Sequence, residues 1–377
     1  LSGFSPSGPG VTFGCTRAED RNAVAATFML WSSPIFSSLG PLPMNLPTAH
    51  PNALARRLTT AAVGLQLLGA ILVQLYLISA GPLAALTREA FARPDMVAST
   101  VVNIVAGCIL VGLTTWGATQ RWLRRHNAGG VDRPGRMVAV LLVVSLVLFV
   151  LISTGLALLN HGFYALIVRH KEWVDQAFGY YGTRRMLLMA LPPKLCAILL
   201  TILGSWLAVR IAAWSVTPVA ATQAPFLQRR HAAWIAALTL LLWQLHVALV
   251  IGLYFMSDAG SAGMLEHAIG YWIVPALLLA LAAWVCLRSL PQALGTAGMG
   301  RAIAHGTFAF WLTQALGIGL ALLIIWTMTW SQLMRAAASY TTSVVSVLIY
   351  SVLLALSCYL GARLFYRRRT PPESASA

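Results

Sequence analysis

Eight stretches of this chain are long, apolar and free of Asp and Glu, and that property decides what it can fold into. They cover about 58–80, 96–119, 137–160, 186–209, 231–256, 268–290, 304–330 and 339–362. Roughly 20 mainly apolar residues suffice to cross the hydrocarbon core of a bilayer. Lipid offers no partners for free N–H and C=O groups, so each stretch must be helical. The expected fold is therefore an all-α membrane protein, a bundle of eight transmembrane helices in contact with the lipid bilayer.

Composition closes off the other classes. Hydrophobic residues make up 58% of the 377 and charged residues only 10%, with a mean hydropathy of +0.75. An ordinary soluble domain carries roughly 25% charged residues. A soluble enzyme, a disordered chain and a nucleic-acid-binding domain are all excluded. The net charge of +16 comes from 26 basic and 10 acidic residues. In a soluble protein this would point to nucleic acid, but here the basic residues sit between the apolar runs, where they report topology.

With the N-terminus inside, the inner loops collect Arg56, Arg57, Arg121, Arg124, Arg125, Arg133, Arg136, Arg210, Arg229, Arg230, Arg288, Arg301, Arg363 and Arg367–Arg369. The outer loops hold Arg88, Arg93, Arg169, Lys171, Arg184, Arg185 and Arg335. The positive-inside rule then puts both termini in the cytoplasm. Trp116, Trp122, Trp206, Trp214 and Trp234 fall near inner span ends and Trp272, Trp326 and Trp330 near outer ones, as interfacial anchors should. Arginine greatly outnumbers lysine, of which there are only Lys171 and Lys194. That bias points to a GC-rich genome and so to a bacterial inner membrane.

The ends read differently. Residues 1–43 are rich in Ser, Gly and Pro without a sustained period, and Met44 precedes a short polar lead, two arginines and the first span. Residues 1–43 are expected to be a disordered or mis-annotated extension, 44–366 the eight-span domain, and 367–377 a basic and polar tail. Within the domain, an offset of 173 carries Arg56-Arg57 onto Arg229-Arg230, and the second and third spans onto the sixth and seventh. Two four-helix halves would follow. The fourth pair fails on this offset, because the 161–185 loop has no counterpart of equal length. In that loop Phe163, Leu166, Ile167, Val174, Ala177 and Phe178 recur at helical spacing opposite a charged face. This predicts an amphipathic helix over 163–178 on the outer surface.

Polar residues inside a bilayer are costly and are functional candidates by default. His246 lies mid-span in the fifth stretch with Gln244 beside it, and Lys194 follows Pro192-Pro193 in the fourth. A double proline removes two backbone donors and should kink or delay its helix; Pro275 should likewise interrupt the sixth. Lys194, His246 and Gln244 are the candidate ligand-binding residues, in a cavity open to the outside. An ammonium with no intramembrane carboxylate favours an anionic or carbonyl-bearing small molecule. Asn103, Gln66, Gln74 and Gln314 read as polar contacts between helices, and Ala315 and Gly319 as a small-residue helix contact.

His161, His170 and His267 gather near the outer surface as weak metal or haem-edge candidates, without tight ligand spacing. No zinc, HExxH, GxSxG or Walker A pattern occurs, and no cofactor is required by the sequence. The eight-span, four-plus-four layout resembles haem A synthase-like proteins. That comparison requires histidines in the even-numbered spans, and these have none, so the match fails. The leading expectation is a small-molecule transporter or permease. A haem- or redox-linked protein using His246 and the outer histidines, and a non-catalytic assembly subunit or homo-oligomer, are the alternatives.

Overall fold

The computed structural model describes residues 51–81, 84–180, 182–220, 227–255, 269–292, 294, 298–337 and 339–366. The expectations for 1–43 and 367–377 lie outside these residues. Eight helices are long and apolar enough to cross a membrane. They are α1 (Pro51–Ser79), α3 (Pro94–Arg125), α4 (Pro134–Arg169), α6 (Thr183–Trp214), α7 (Arg229–Phe255), α8 (Val274–Ser289), α9 (Met299–Thr327) and α11 (Tyr340–Tyr366). Short helices α2 (Ala84–Phe91), α5 (Lys171–Phe178) and α10 (Trp330–Ala337) bridge successive spans at the end opposite the arginine clusters.

Local chemistry sets several of the helix starts. Proline opens α3 and α4 and stands in the first turn of α8, where its missing N–H costs nothing and its fixed φ suits the helix. A π-helical turn, Ile269–Ile273, precedes α8, so Pro275 marks a change of helix type at the start of the span. Pro192-Pro193 does not interrupt its helix: α6 runs unbroken from Thr183 to Trp214. What the pair does remove is the i→i−4 donor for the carbonyls of Leu188 and Met189, one turn before Lys194.

The amphipathic segment is shorter than its periodicity implied. Residues 163–169 continue α4, which at 36 residues is about 54 Å long and overshoots the hydrocarbon core. Only Lys171–Phe178 forms a separate helix, and Gly179, at φ +83°, ends it in the left-handed region that glycine tolerates. The Arg185 guanidinium then pairs with the buried Asp175 carboxylate, tying α5 to the start of α6.

The spans pack as two four-helix rings. In the first half, α1 and α6 each contact both α3 and α4; in the second, α7 and α11 each contact both α8 and α9. First, second, third and fourth spans thus have the same neighbours in each half. The packing supplies the fourth pair that the sequence offset lost. It also supplies the missing loop counterpart, because α5 and α10, each of 8 residues, both connect a third span to a fourth. The halves meet where Val102, Ala106 and Ile109 of α3 pack on Leu241 and Leu245 of α7.

Burial is concentrated at the arginine-rich end. Leu54, Leu58, Met137, Leu141, Ala208 and Ala212 centre the first core, and Ala232, Ala236, Ala302, Phe310, Cys358 and Ala362 the second. Toward the other end Leu72, Val150, Leu199, Ile325 and Val347 are exposed. A small antiparallel ribbon caps the first core: β1 (Ala128–Val131) pairs with β2 (Pro218–Ala220). Ala128 and Val131 are completely buried against that core. Ala315 and Gly319 are exposed and nothing lies near Gly319, so they do not form the expected contact. The close approach falls earlier in α9, at Gly306, where a Cβ would collide with the Ala236 carbonyl of α7.

Candidate functional site

The most unusual polar group in the spans is Lys194, roughly 17 Å along α6 from its start. Its Nζ donates a hydrogen bond to Asn103 Oδ1 of α3 at 2.5 Å. Two features of the chain bring these residues together. The α3 and α6 helices are ring neighbours, and Asn103 and Gly107, one turn apart on α3, meet α6 and α1 respectively. Gly107 makes room there for α1: Gln66 Nε2 lies 3.5 Å from the point a Cβ on Gly107 would occupy. Asn103 and Lys194 thus meet across α3 and α6, and Gln66 of α1 reaches α3 one turn further on, at Gly107. Asn103 is nevertheless exposed and Lys194 only half-buried.

His246 belongs to the same neighbourhood, close enough to Lys194 for the two to interact electrostatically. Its Nδ1–H donates to the Leu242 carbonyl one turn earlier at 2.8 Å. This fixes the tautomer and leaves Nε2 as the acceptor. Gln244, two residues before, is half-buried, and its Oε1 has no partner among the described residues. Of the three residues expected to bind a ligand, Lys194 pairs with Asn103, His246 bonds its own helix within electrostatic range of the lysine, and Gln244 has an enclosed carbonyl oxygen. None of the eight apolar runs carries a carboxylate, the nearest in sequence being Asp95 in the first turn of α3, and the partner of the ammonium is a neutral amide.

The histidines expected near a metal are dispersed. His161 is exposed on α4 and His170 is exposed just after it, while His267 lies outside the described residues. No group of three His, Cys, Asp or Glu side chains gathers among the described residues.

Sequence reasoning passed over two features. Asn103 was legible only as a generic helix contact, because nothing in the periodicity of α3 says that α6 brings a lysine to it. His305 went unremarked although it stands within a span. It is fully buried in α9, its Nε2–H donating to the Cys358 carbonyl of α11 at 2.8 Å, and Gly361 leaves the space its ring fills. Around it Trp243 Nε1–H donates to Thr307 Oγ1 at 3.1 Å, and Gln314 Nε2 donates to the Tyr350 hydroxyl at 2.9 Å. The second half thus uses its polar groups mainly between its own helices.

No protein-family model, curated protein or solved structure matches this chain.

Proposed function

We propose that the protein is a transporter or permease for a small anionic or carbonyl-bearing molecule, with Lys194 as its principal binding group. The observation that carries the reading is the Lys194–Asn103 pair: an intramembrane ammonium, half-buried, hydrogen-bonded to a neutral amide in a bundle whose apolar runs hold no carboxylate. A charge at such depth is costly, and an unpaired one is retained where a ligand or water-filled cavity compensates it. His246 keeps a free acceptor, Nε2, within electrostatic range of the lysine, and the Leu188 and Met189 carbonyls lie one turn away. Packing that is tight at the arginine-rich end and looser at the other supports a cavity opening at the opposite face. By the positive-inside rule this face is the outer one, with both termini cytoplasmic in a bacterial inner membrane.

The test is ligand-dependent thermal stabilisation of the purified full chain, using acetate, succinate, citrate and inorganic phosphate as probes. At least one anion should stabilise the wild type saturably. Lys194→Met should abolish this, while Arg335→Gln, at the surface, should not. Stabilisation by no anion, or equal stabilisation of Lys194→Met, would overturn the reading. A redox or haem-linked protein is the second reading, favoured by the single fact that His246 Nδ1 is engaged and Nε2 remains to ligate. An optical spectrum separates the two, because a Soret band lost on replacing His246 belongs only to the haem reading.

A further inference from the structure

At the arginine-rich end, away from the Lys194 site, the ends of α8 and α11 part to leave a cleft of about 850 Å³. Ser289, Pro291 and Gln292 wall it on one side, and Leu360, Arg363 and Tyr366 on the other. Arg363 lays its guanidinium over the Tyr359 ring, 4.7 Å from the centroid. No hydrogen bond from that guanidinium is found among the described residues, so its N–H donors are available for an anion. Arg363 makes no ion pair among the described residues. Tyr366 is 8% exposed, and its hydroxyl has no partner among them. Arg288, next to Ser289, is stacked in the same way over Trp284 at 4.9 Å.

The charge balance of this end calls for an external anion. Its only carboxylate among the described residues is Asp132, which lies in the ribbon of the other half and is occupied by the Thr217 N–H. The walls then indicate which kind of anion fits. Leu360 and Leu364 present exposed apolar surface directly beside Arg363. Trp284 and Tyr359, 54% and 39% exposed, mark the headgroup level, where aromatic rings of membrane proteins collect. A free inorganic anion has no use for an apolar wall, whereas a phospholipid uses both parts. Basic pockets between membrane helices suit anionic headgroups.

We propose that this cleft is a binding site for an anionic phospholipid. The lipid phosphate accepts from the Arg363 N–H edge, Gln292 and Ser289 face the headgroup, and an acyl chain lies along Leu360 and Leu364. The site is independent of the transport reading.

The experiment titrates full-length protein in neutral detergent with phosphatidylglycerol, phosphatidylcholine or inorganic phosphate, following bound lipid by native mass spectrometry and stability by thermal unfolding. Phosphatidylglycerol should bind and stabilise, and the other two should not. Arg363→Gln should weaken that binding about fivefold, the loss expected for one arginine near an anionic surface. Arg210→Gln is the control. Arg210 stacks on Trp206 at 5.2 Å but does not line this cleft, so binding should be unchanged. Equal losses in both variants would mean a diffuse surface charge and would overturn the site. Equal stabilisation by phosphatidylcholine or by inorganic phosphate would overturn the anionic-lipid assignment.

Discussion

The two halves of the bundle share one arrangement of helix neighbours and use their polar residues in opposite ways. In the second half His305, Thr313 and Ser357 are fully buried, and Cys286 and Cys358 belong to the same buried core. His305 and Thr313 donate to backbone carbonyls, of Cys358 and Ala309 respectively. In the first half Gln66, Asn103 and Lys194 stand at least partly exposed, and they include a charge. A buried neutral group bonded to the next helix, as His305 is, holds helices together, whereas a half-buried cation at membrane depth carries a large cost that one hydrogen bond to an amide does not offset. Helix neighbours can therefore be duplicated without duplicating the chemistry.

The sharpest way to break this contrast is to disturb the packing of the second half. At Gly306→Val a side chain would meet the Ala236 backbone, which cannot move aside as a flexible side chain would. A loss of about 3 kcal/mol or more is expected, read as a lower thermal or denaturant midpoint. Gly319→Ala, on the same helix with nothing near it, should leave stability unchanged or raise it by up to about 1 kcal/mol.

His305→Leu comes next. It removes the bond to the Cys358 carbonyl and leaves that acceptor buried, at a cost of about 1–3 kcal/mol. His305→Gln, which keeps a donor, should recover part of the loss. Neither variant should change anion-dependent stabilisation; a selective loss of that response would make His305 part of the site and erase the contrast.

Lys194→Met is predicted to do the reverse. It should reduce anion binding by about tenfold or more, the ~1.4 kcal/mol of a single good charged contact, and leave the unliganded protein equally stable or more so. A large drop in unliganded stability would show that the lysine holds the first half together as His305 holds the second.

The smallest expected effect is one of pH. Hydrogen bonding from the Thr217 N–H, with further bonds from Thr217 and Arg133, holds the Asp132 carboxyl below its ordinary value. A carboxyl lowered in the fold stabilises it above the ordinary value and loses that contribution as pH falls through the lowered one. The ribbon should therefore weaken below about pH 4. A melting curve series from pH 6 to pH 3 should show a slightly steeper decline for the wild type than for Asp132→Asn.

The apolar runs determined the number of spans, because a stretch of this length without carboxylates has one outcome in lipid. Arg56-Arg57 with Arg229-Arg230 hinted at the repeat. The candidate site was half legible: a lysine and a histidine inside spans stand out by their rarity alone. What the sequence could not carry was which helix faces which. A span that is apolar all round has no strong face, so its period does not reveal its neighbours. Tertiary packing alone decided that α6 brings Lys194 to Asn103, that α11 completes the second ring despite the failed offset, and that Gly306 rather than Gly319 is the contact. Pro192-Pro193 makes the same point from the other side. A local rule predicts a break, but the neighbouring spans keep α6 helical, because within the bilayer a helix missing two hydrogen bonds is still better satisfied than an open backbone.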